Sequence, residues 1–169
     1  MQLHHALTAL WLAALFPLSA VAAGPTAVPA PPAEEVMKVV YHVDFSDPRR
    51  FSAMLQSVNN MVTVYQQQLQ EYDVRIVFVS HGIRFVTSDP LIGTPFAADK
   101  ELTARRKEFT DRLSGMQKVQ EVKLELCDIT REAVRLGKEK LLPGVELVRS
   151  GVVRLAELQR QGFAYIKIE

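Results

Sequence analysis

The chain has a single cysteine, Cys127, among its 169 residues, and neither sign of charge dominates. One cysteine excludes an internal disulfide, so the thiol is free, paired between chains, or used chemically. The formal net charge is +1, from 20 basic and 19 acidic residues, and no basic stripe of the kind that nucleic acids require is visible. We therefore expect no nucleic-acid partner.

Familiar motifs of catalysis and nucleotide binding are also missing from the sequence. It contains no G-x-G-x-x-G after a strand, no P-loop and no G-x-S-x-G elbow. The short metal-ligand spacings C-x-x-C and H-x-x-x-H are missing too. We expect no cofactor and no metal at the site.

Residues 1–23 are typical of a secretory signal peptide. Ala6–Ala20 is almost wholly apolar, and Val21-Ala22-Ala23 offers the small residues that a signal peptidase needs. The apolar stretch is short for a membrane span. We expect a periplasmic protein with no stable membrane insertion after leader cleavage. An uncleaved anchor is the alternative, because no Lys or Arg precedes the apolar stretch. The Pro/Ala-rich residues 24–35 predict an extended linker.

Residues 36–169 predict one domain in which strands and helices alternate. Nearly continuous apolar runs are typical of strands covered on both faces. They occur at Met37–Val43, Val74–Ser80, Val122–Leu126, Val145–Val148 and Phe163–Ile168. The alternation favours a three-layer α/β/α fold with a mainly parallel sheet of about five strands.

Four helices are predicted between these strands. Asp47 caps the first, with Pro48 at its first position, and the second covers Asp99–Lys118. The third is expected over Ile129–Leu141, and the fourth from Ser150 until just before Gly162. The buried face of the first helix is predicted from 3- and 4-residue spacings at Phe51, Met54, Leu55, Val58, Met61, Val62, Tyr65 and Leu69.

Three chemically capable side chains stand where predicted strands end. His42 lies near the end of the first strand, His81 directly follows the second, and Cys127 directly follows the third. Ligands of open α/β sheets bind beyond the carboxyl ends of the strands. If the strands are neighbours, the sequence brings two imidazoles and a thiol to one edge.

Cys127 is the candidate nucleophile. If Asp128 or Thr130 caps the following helix, the thiol stands at a helix N-terminus, where N–H groups and the helix dipole stabilise a thiolate. The like charge of Asp128 would oppose this effect. The alternative is a small buried apolar side chain at a strand end.

The other candidates surround this edge. His81 is expected to hold a proton or to orient the thiolate, and Gly82 allows the backbone to approach a ligand closely. The alternative for His81 is a ring that merely covers the strand end. Asn60, within the first helix, is a candidate for contacting the site or an adjoining subunit. A zinc or copper site of His42, His81 and Cys127 is a minor alternative.

Several segments together resemble the DsrE/DsrF-like family, in its exported single-domain branch. They are MKVVYHVDFSDPRRFSAMLQSVNN, VRIVFVSHG, VKLELCDIT and PGVELVRSGVVRLAELQRQGFAYIKIE, and the resemblance covers Val36–Glu169. It implies a three-layer α/β/α fold and assembly into oligomers, here homo-oligomers. The better-known members are sulfur-relay proteins, and their sulfur-carrying position corresponds to Cys127.

The resemblance implies a function in sulfur transfer. Cys127 would carry a persulfide between a protein donor and a protein acceptor, with His81 as its proton partner. Enzymatic activity would at most be that of a sulfurtransferase-like carrier. The alternative is a non-catalytic oligomeric binding or assembly module of the same fold, with Cys127 simply buried.

Overall fold

A computed structural model describes residues 36–169. The predicted leader (1–23) and the predicted linker (24–35) lie outside the described residues. Between residues 36 and 169, no helix combines the length and the apolar character that crossing a membrane requires.

The described chain is built on a five-stranded parallel sheet. Its strands lie in the order β4-β3-β2-β1-β5, which confirms the predicted fold class. All five strands begin and end within two residues of the predicted runs, and β5 is shorter than predicted. Their bounds are β1 Met37–Val43, β2 Tyr72–Phe78, β3 Lys123–Cys127, β4 Val145–Val148 and β5 Ala164–Ile166.

Two long helices cover the first face of the sheet. The side chain of Asp47 accepts hydrogen bonds from the N–H groups of Arg49 and Arg50 and so caps α1, Pro48–Gln67. Asp99 caps α2, Lys100–Gln120, in the same way, through the N–H of Leu102. Together they bury a large apolar cluster against alternate strand residues, among them Val39, Tyr41, Val43, Ile76, Phe78, Leu124 and Leu126.

The second face is packed by α4, Gly151–Arg160, which Ser150 caps. A smaller apolar cluster lies beneath it, formed by Val40, Val77, Leu155, Leu158 and Phe163. Charged strand residues share this face with the apolar ones, because side chains on a strand alternate between faces. His42, Arg75, Glu125 and Cys127 therefore lie on the α4 side of the sheet.

Three local predictions are wrong. The third helix, α3, covers only Asp128–Ala133, and a 3₁₀ turn, Lys138–Lys140, follows it. Arg135 has a left-handed φ of 53°, which ends the helix so that Leu136 can pack into the first cluster. The Gly, Pro and Asp residues of His81–Thr94 predict an irregular segment after β2, but the segment starts with a 3₁₀ turn, Ser80–Phe85. Leu69 lies beyond the end of α1 and is 87% exposed.

The connection that follows β3 and the one that follows β4 lie on opposite faces of the sheet. After β3 it passes over the first face, where Val134 and Leu142 pack on the larger cluster. After β4 it crosses the second face as α4 and returns to the far edge of the sheet, where β5 pairs with β1. Right-handed crossovers require this change of face when the direction reverses. The gap between β3 and β4 is thus the topological switch point, the usual ligand position in such sheets.

Candidate functional site at the carboxyl edge of the sheet

Cys127 is the last residue of β3 and lies at this switch point, opposite Val148 of β4. Burial alone would raise the pKa of its thiol. The N–H groups of Gly151, Thr130 and Ile129 and the hydroxyl of Thr130 outweigh burial, and the pKa is lowered. The donors come from the first turns of α3 and α4. Cys127 is 4% exposed, so its thiol is sheltered from solvent.

Thr130 connects the thiol to the neighbouring strand end. Its hydroxyl oxygen accepts a 3.1 Å hydrogen bond from the N–H of Ser80, two residues after the end of β2. Ser80 has a left-handed φ of 53°, a conformation that a non-glycine residue keeps only when its surroundings hold it. Thr130 was a sequence candidate as a helix cap, but it acts as a hydrogen-bond partner instead; Cys127 itself occupies the cap position of α3.

Gly151 allows α4 to begin close to the thiol. A β-carbon at this position would lie 3.1 Å from Cβ of Cys127 and 2.5 Å from Cγ2 of Val79. Only a residue without a side chain fits there without displacement of the helix. Gly151 was not among the residues predicted from the sequence, although a glycine directly after a capping serine is a signal for close packing at a helix start.

Asp128 does not cap a helix. Its carboxylate accepts a 2.6 Å hydrogen bond from Nε of Arg131, and both side chains are largely buried. Because this ion pair neutralises the carboxylate, the expected repulsion between Asp128 and the thiolate is weakened. Arg131 also donates to the carbonyl of Leu136 and so holds the short α3 in place.

His81 lies in the 3₁₀ turn after β2, but its ring packs edge-on against Phe96, with 5.1 Å between the centroids. Its Nδ1 atom is buried without a hydrogen-bond partner. No hydrogen bond or ion pair between residues 36 and 169 joins His81 to Cys127. The expected contact between the imidazole and the thiol is therefore not formed.

Gly82 lies at the predicted edge of the sheet but packs on β1, whereas Asn60 lies away from this edge. A β-carbon on Gly82 would collide with the carbonyl oxygen of Val43, so this glycine serves the packing of the 3₁₀ turn on β1. Asn60 is exposed on α1 and accepts a 2.7 Å hydrogen bond from Gln56. It stands 12 residues from the start of α1, which at 1.5 Å per residue is roughly 18 Å from the carboxyl edge.

His42 belongs to a separate group at the β1–β5 edge. Its Nδ1 atom lies 2.8 Å from the hydroxyl of Tyr165, and its Nε2 atom is buried without a partner. Burial lowers the pKa of His42, and the negative charge of Asp44 offsets only part of this. His42 pairs with Val77 of β2, which in turn pairs with Glu125 of β3. From ordinary strand spacings, the Cα atom of His42 is therefore roughly 12 Å from the Cα atom of Cys127.

No group of three or more His, Cys, Asp or Glu side chains that could hold a metal ion occurs in the described range. The minor alternative of a zinc or copper site would need His42, His81 and Cys127 to converge. The three side chains instead contact Tyr165, Phe96 and the starts of α3 and α4 respectively.

A network of ion pairs lies close to Cys127, on the face of the sheet that α4 covers. Glu125, two residues before Cys127 in β3, is 1% exposed and accepts hydrogen bonds from Arg75 of β2 and Arg154 of α4. Burial would raise the pKa of Glu125, but the two guanidinium groups reverse this and lower it. Arg75 also pairs with Asp73 and stacks over Phe163. Residue patterns did not reveal this network.

The fold and the site define a three-layer α/β/α protein. A cysteine whose surroundings lower its thiol pKa lies at the topological switch point of the sheet. The sequence profile of the DsrE/DsrF-like family matches residues 37–168. The chain belongs to the DsrE/DsrF-like family.

Two solved structures are similar to the chain. One is a protein of unknown function, MTH1491 from Methanobacterium thermoautotrophicum, with 26% identity and a TM-score of 0.55 over 78% of this chain and 98% of that one. The other is the ychN protein from E. coli, with 16% identity and a TM-score of 0.52 over 79% and 100%. The second likeness concerns the fold alone. No curated protein matches the sequence.

Proposed function

We propose that the protein is an exported sulfur carrier in which Cys127 holds a persulfide. The observation that carries this proposal is the convergence of donors from two helix starts on the sole thiol of the chain. A thiolate is the attacking form in sulfur exchange, and its stabilisation increases the reactive fraction near neutral pH. Membership of the DsrE/DsrF-like family supports a sulfur-relay type of role.

The transfer consists of two exchange steps. The Cys127 thiolate attacks the outer sulfur of a donor persulfide, R–S–SH. A bond forms between Sγ and that sulfur, the donor S–S bond breaks, and the donor leaves as R–S⁻. An acceptor thiolate then attacks the outer sulfur of Cys127–S–SH, which regenerates the Cys127 thiolate. One sulfur atom with its proton moves in each step, and no external oxidant or reductant is needed.

The N–H groups and the hydroxyl around Sγ have a defined part in both steps. In the first step they stabilise the attacking anion, and in the second they stabilise Cys127 as the leaving thiolate. A lower leaving-group pKa speeds thiol exchange. Donor and acceptor are expected to be proteins, and we expect the carrier to act as a homo-oligomer in the periplasm.

A binding or assembly module is the second candidate function, and the burial of Cys127 favours it. Exposed apolar side chains flank the thiol, namely Ile129 in the first turn of α3 and Val152 and Val153 in that of α4. Such residues suit a protein contact. In this case Cys127 would serve packing alone.

Intact-mass analysis distinguishes the two functions. Wild-type protein and a Cys127→Ser variant are treated with inorganic polysulfide and desalted, and half of each sample is then reduced. A carrier gains the mass of sulfur on wild type only, and reduction removes it. Absence of added sulfur on folded wild type, or equal addition to Cys127→Ser, would refute the carrier and leave the assembly module.

A further inference from the structure

Two contacts, one helical turn apart, join the start of α4 to the end of β3. At the first, Gly151 lies against Cys127, where a β-carbon would be 3.1 Å from Cβ of the cysteine. At the second, Arg154 forms a bidentate pair with Glu125: Nε lies 2.6 Å from Oε2 and Nη2 lies 2.9 Å from Oε1. Glu125 and Cys127 are alternate residues of one strand, so both contacts lie on the same face of the sheet.

The Arg154–Glu125 pair has the geometry of a fixed clamp. A planar guanidinium that donates two parallel hydrogen bonds to one carboxylate restricts orientation as well as distance. Arg75 of β2 holds the same carboxylate with a 2.8 Å hydrogen bond from Nη1, which prevents Glu125 from following α4. The buried side chain of Glu125 therefore fixes the position of α4 relative to β2 and β3.

Stability alone gives little reason for this arrangement. Buried ion pairs often contribute less to stability than apolar residues of the same size would, and their best-attested benefit is structural specificity. Val77 and Leu158 show that apolar packing between α4 and the sheet is available on this face. The specific consequence of the clamp is the placement of the first N–H group of α4.

We propose that Arg154 and Glu125 are positioning residues for Cys127: their bidentate pair holds the start of α4 so that the N–H of Gly151 faces the sulfur. This inference rests on the proposed function and adds to it a structural control on the formation of the Cys127 thiolate. Neither side chain touches the reacting atoms, and both act through the position of Gly151.

The clamp and a simple charge effect predict opposite results for one substitution. If Glu125 acted only through its negative charge, Glu125→Gln would remove a repulsion and lower the thiol pKa. If Glu125 holds α4, the same change loosens the helix start, weakens the Gly151 contact and raises the thiol pKa. Arg154→Lys keeps the charge but loses the bidentate geometry, so a charge effect predicts no change and the clamp predicts a rise.

The experiment is a pH titration of the thiolate by its ultraviolet absorbance, with the same variants lacking Cys127 as blanks. The chain has one cysteine, so the signal belongs to one group. For Glu125→Gln and Arg154→Lys we expect roughly threefold to tenfold less thiolate than in wild type at a pH below the pKa. Denaturant midpoints and near-ultraviolet dichroism, measured in parallel, verify that each variant is folded.

Arg149→Gln is the matched control. Arg149 lies just before α4, its side chain is 79% exposed, and it pairs with Glu132 at 3.4 Å. Its loss removes one positive charge near the switch point and leaves the clamp intact. We expect its titration to follow that of wild type. A thiol pKa shift as large as that of Arg154→Lys would show that the effect is not specific to the Arg154–Glu125 pair and would overturn the inference.

Each remaining outcome also decides the inference. An unchanged or lowered thiol pKa in folded Glu125→Gln, or an unchanged pKa in Arg154→Lys, overturns it. If Glu125→Gln does not fold, Arg154→Lys, with its partly exposed side chain, carries the test. Failure of wild type to accept sulfur from polysulfide refutes the carrier function without affecting this titration, so the two failures remain distinct.

Discussion

The hydroxyl of Thr130 joins two strand ends, because its oxygen accepts the N–H of Ser80 while its proton is available to the sulfur of Cys127. Thr130 is 8% exposed, so no bulk water competes for either contact. The hydroxyl thereby holds the strained Ser80 and contributes to the lowered pKa of the Cys127 thiol.

Replacement of Thr130 separates the effect of its hydroxyl group from the effect of its side-chain shape. Thr130→Val keeps the shape, removes the donor to the sulfur and leaves the Ser80 N–H unpaired. We expect a higher thiol pKa and a loss of about 1–3 kcal/mol of unfolding free energy. Thr130→Ser keeps the hydroxyl and serves as the control. Thiolate absorbance and urea unfolding measure the two effects, and equal titrations for Val and Ser variants would contradict the assigned role.

Replacement of Gly151 tests the close approach of α4. In Gly151→Ala the new β-carbon would meet Val79 and Cys127, so α4 must shift, at a cost of about 1–3 kcal/mol. Gly115→Ala in α2 is the matched control, because nothing lies within 4 Å of its β-carbon. There we expect about 0.5–1 kcal/mol of added stability. Urea unfolding compares them, and equal stabilities of the two variants would show that α4 is not tightly seated.

Replacement of His81 tests whether an imidazole assists the thiol. His81→Phe keeps a ring against Phe96 and removes the unpaired Nδ1 atom. We expect the thiolate titration of Cys127 to remain as in wild type, and the unfolding free energy to be unchanged or higher. A raised thiol pKa in folded His81→Phe would restore the histidine as the proton partner.

Replacement of His42 tests a pH dependence. Because the folded-state pKa of His42 is lowered by burial, the unfolded chain binds this proton more readily. Its contribution to stability is present above the unfolded value of about 6.5 and is lost as the pH falls through the folded pKa. His42→Gln should therefore lose less stability than wild type across this acid window in urea titrations. Parallel curves for the two proteins would contradict the prediction.

The strands and the position of the thiol could be predicted because both depend on local sequence. Apolar runs identify buried strands, and a cysteine at the end of such a run falls at the carboxyl edge. The third helix could not be bounded in this way. Its residues continue to favour a helix, but the burial of Leu136 and the left-handed Arg135 depend on the cluster that the segment meets across the sheet.

The partners of the thiol depend on topology and could not be predicted from local patterns. Gly151 reaches Cys127 only because β4 pairs with β3 and because α4 then crosses to the second face. The contact expected between His81 and the thiol is not formed for a different reason. The place of His81 in the sequence is correct, but the 3₁₀ turn directs its ring towards Phe96.

The packing of α4 has a consequence for the dynamics of the site. Among the described elements, this ten-residue helix both covers the smaller apolar cluster and supplies the Gly151 donor. A local opening of the helix therefore uncovers the sulfur and, in the same event, removes part of what lowers the pKa of the thiol. Amide exchange in α4 and the exposure of Cys127 to large thiol reagents would then follow one common opening equilibrium.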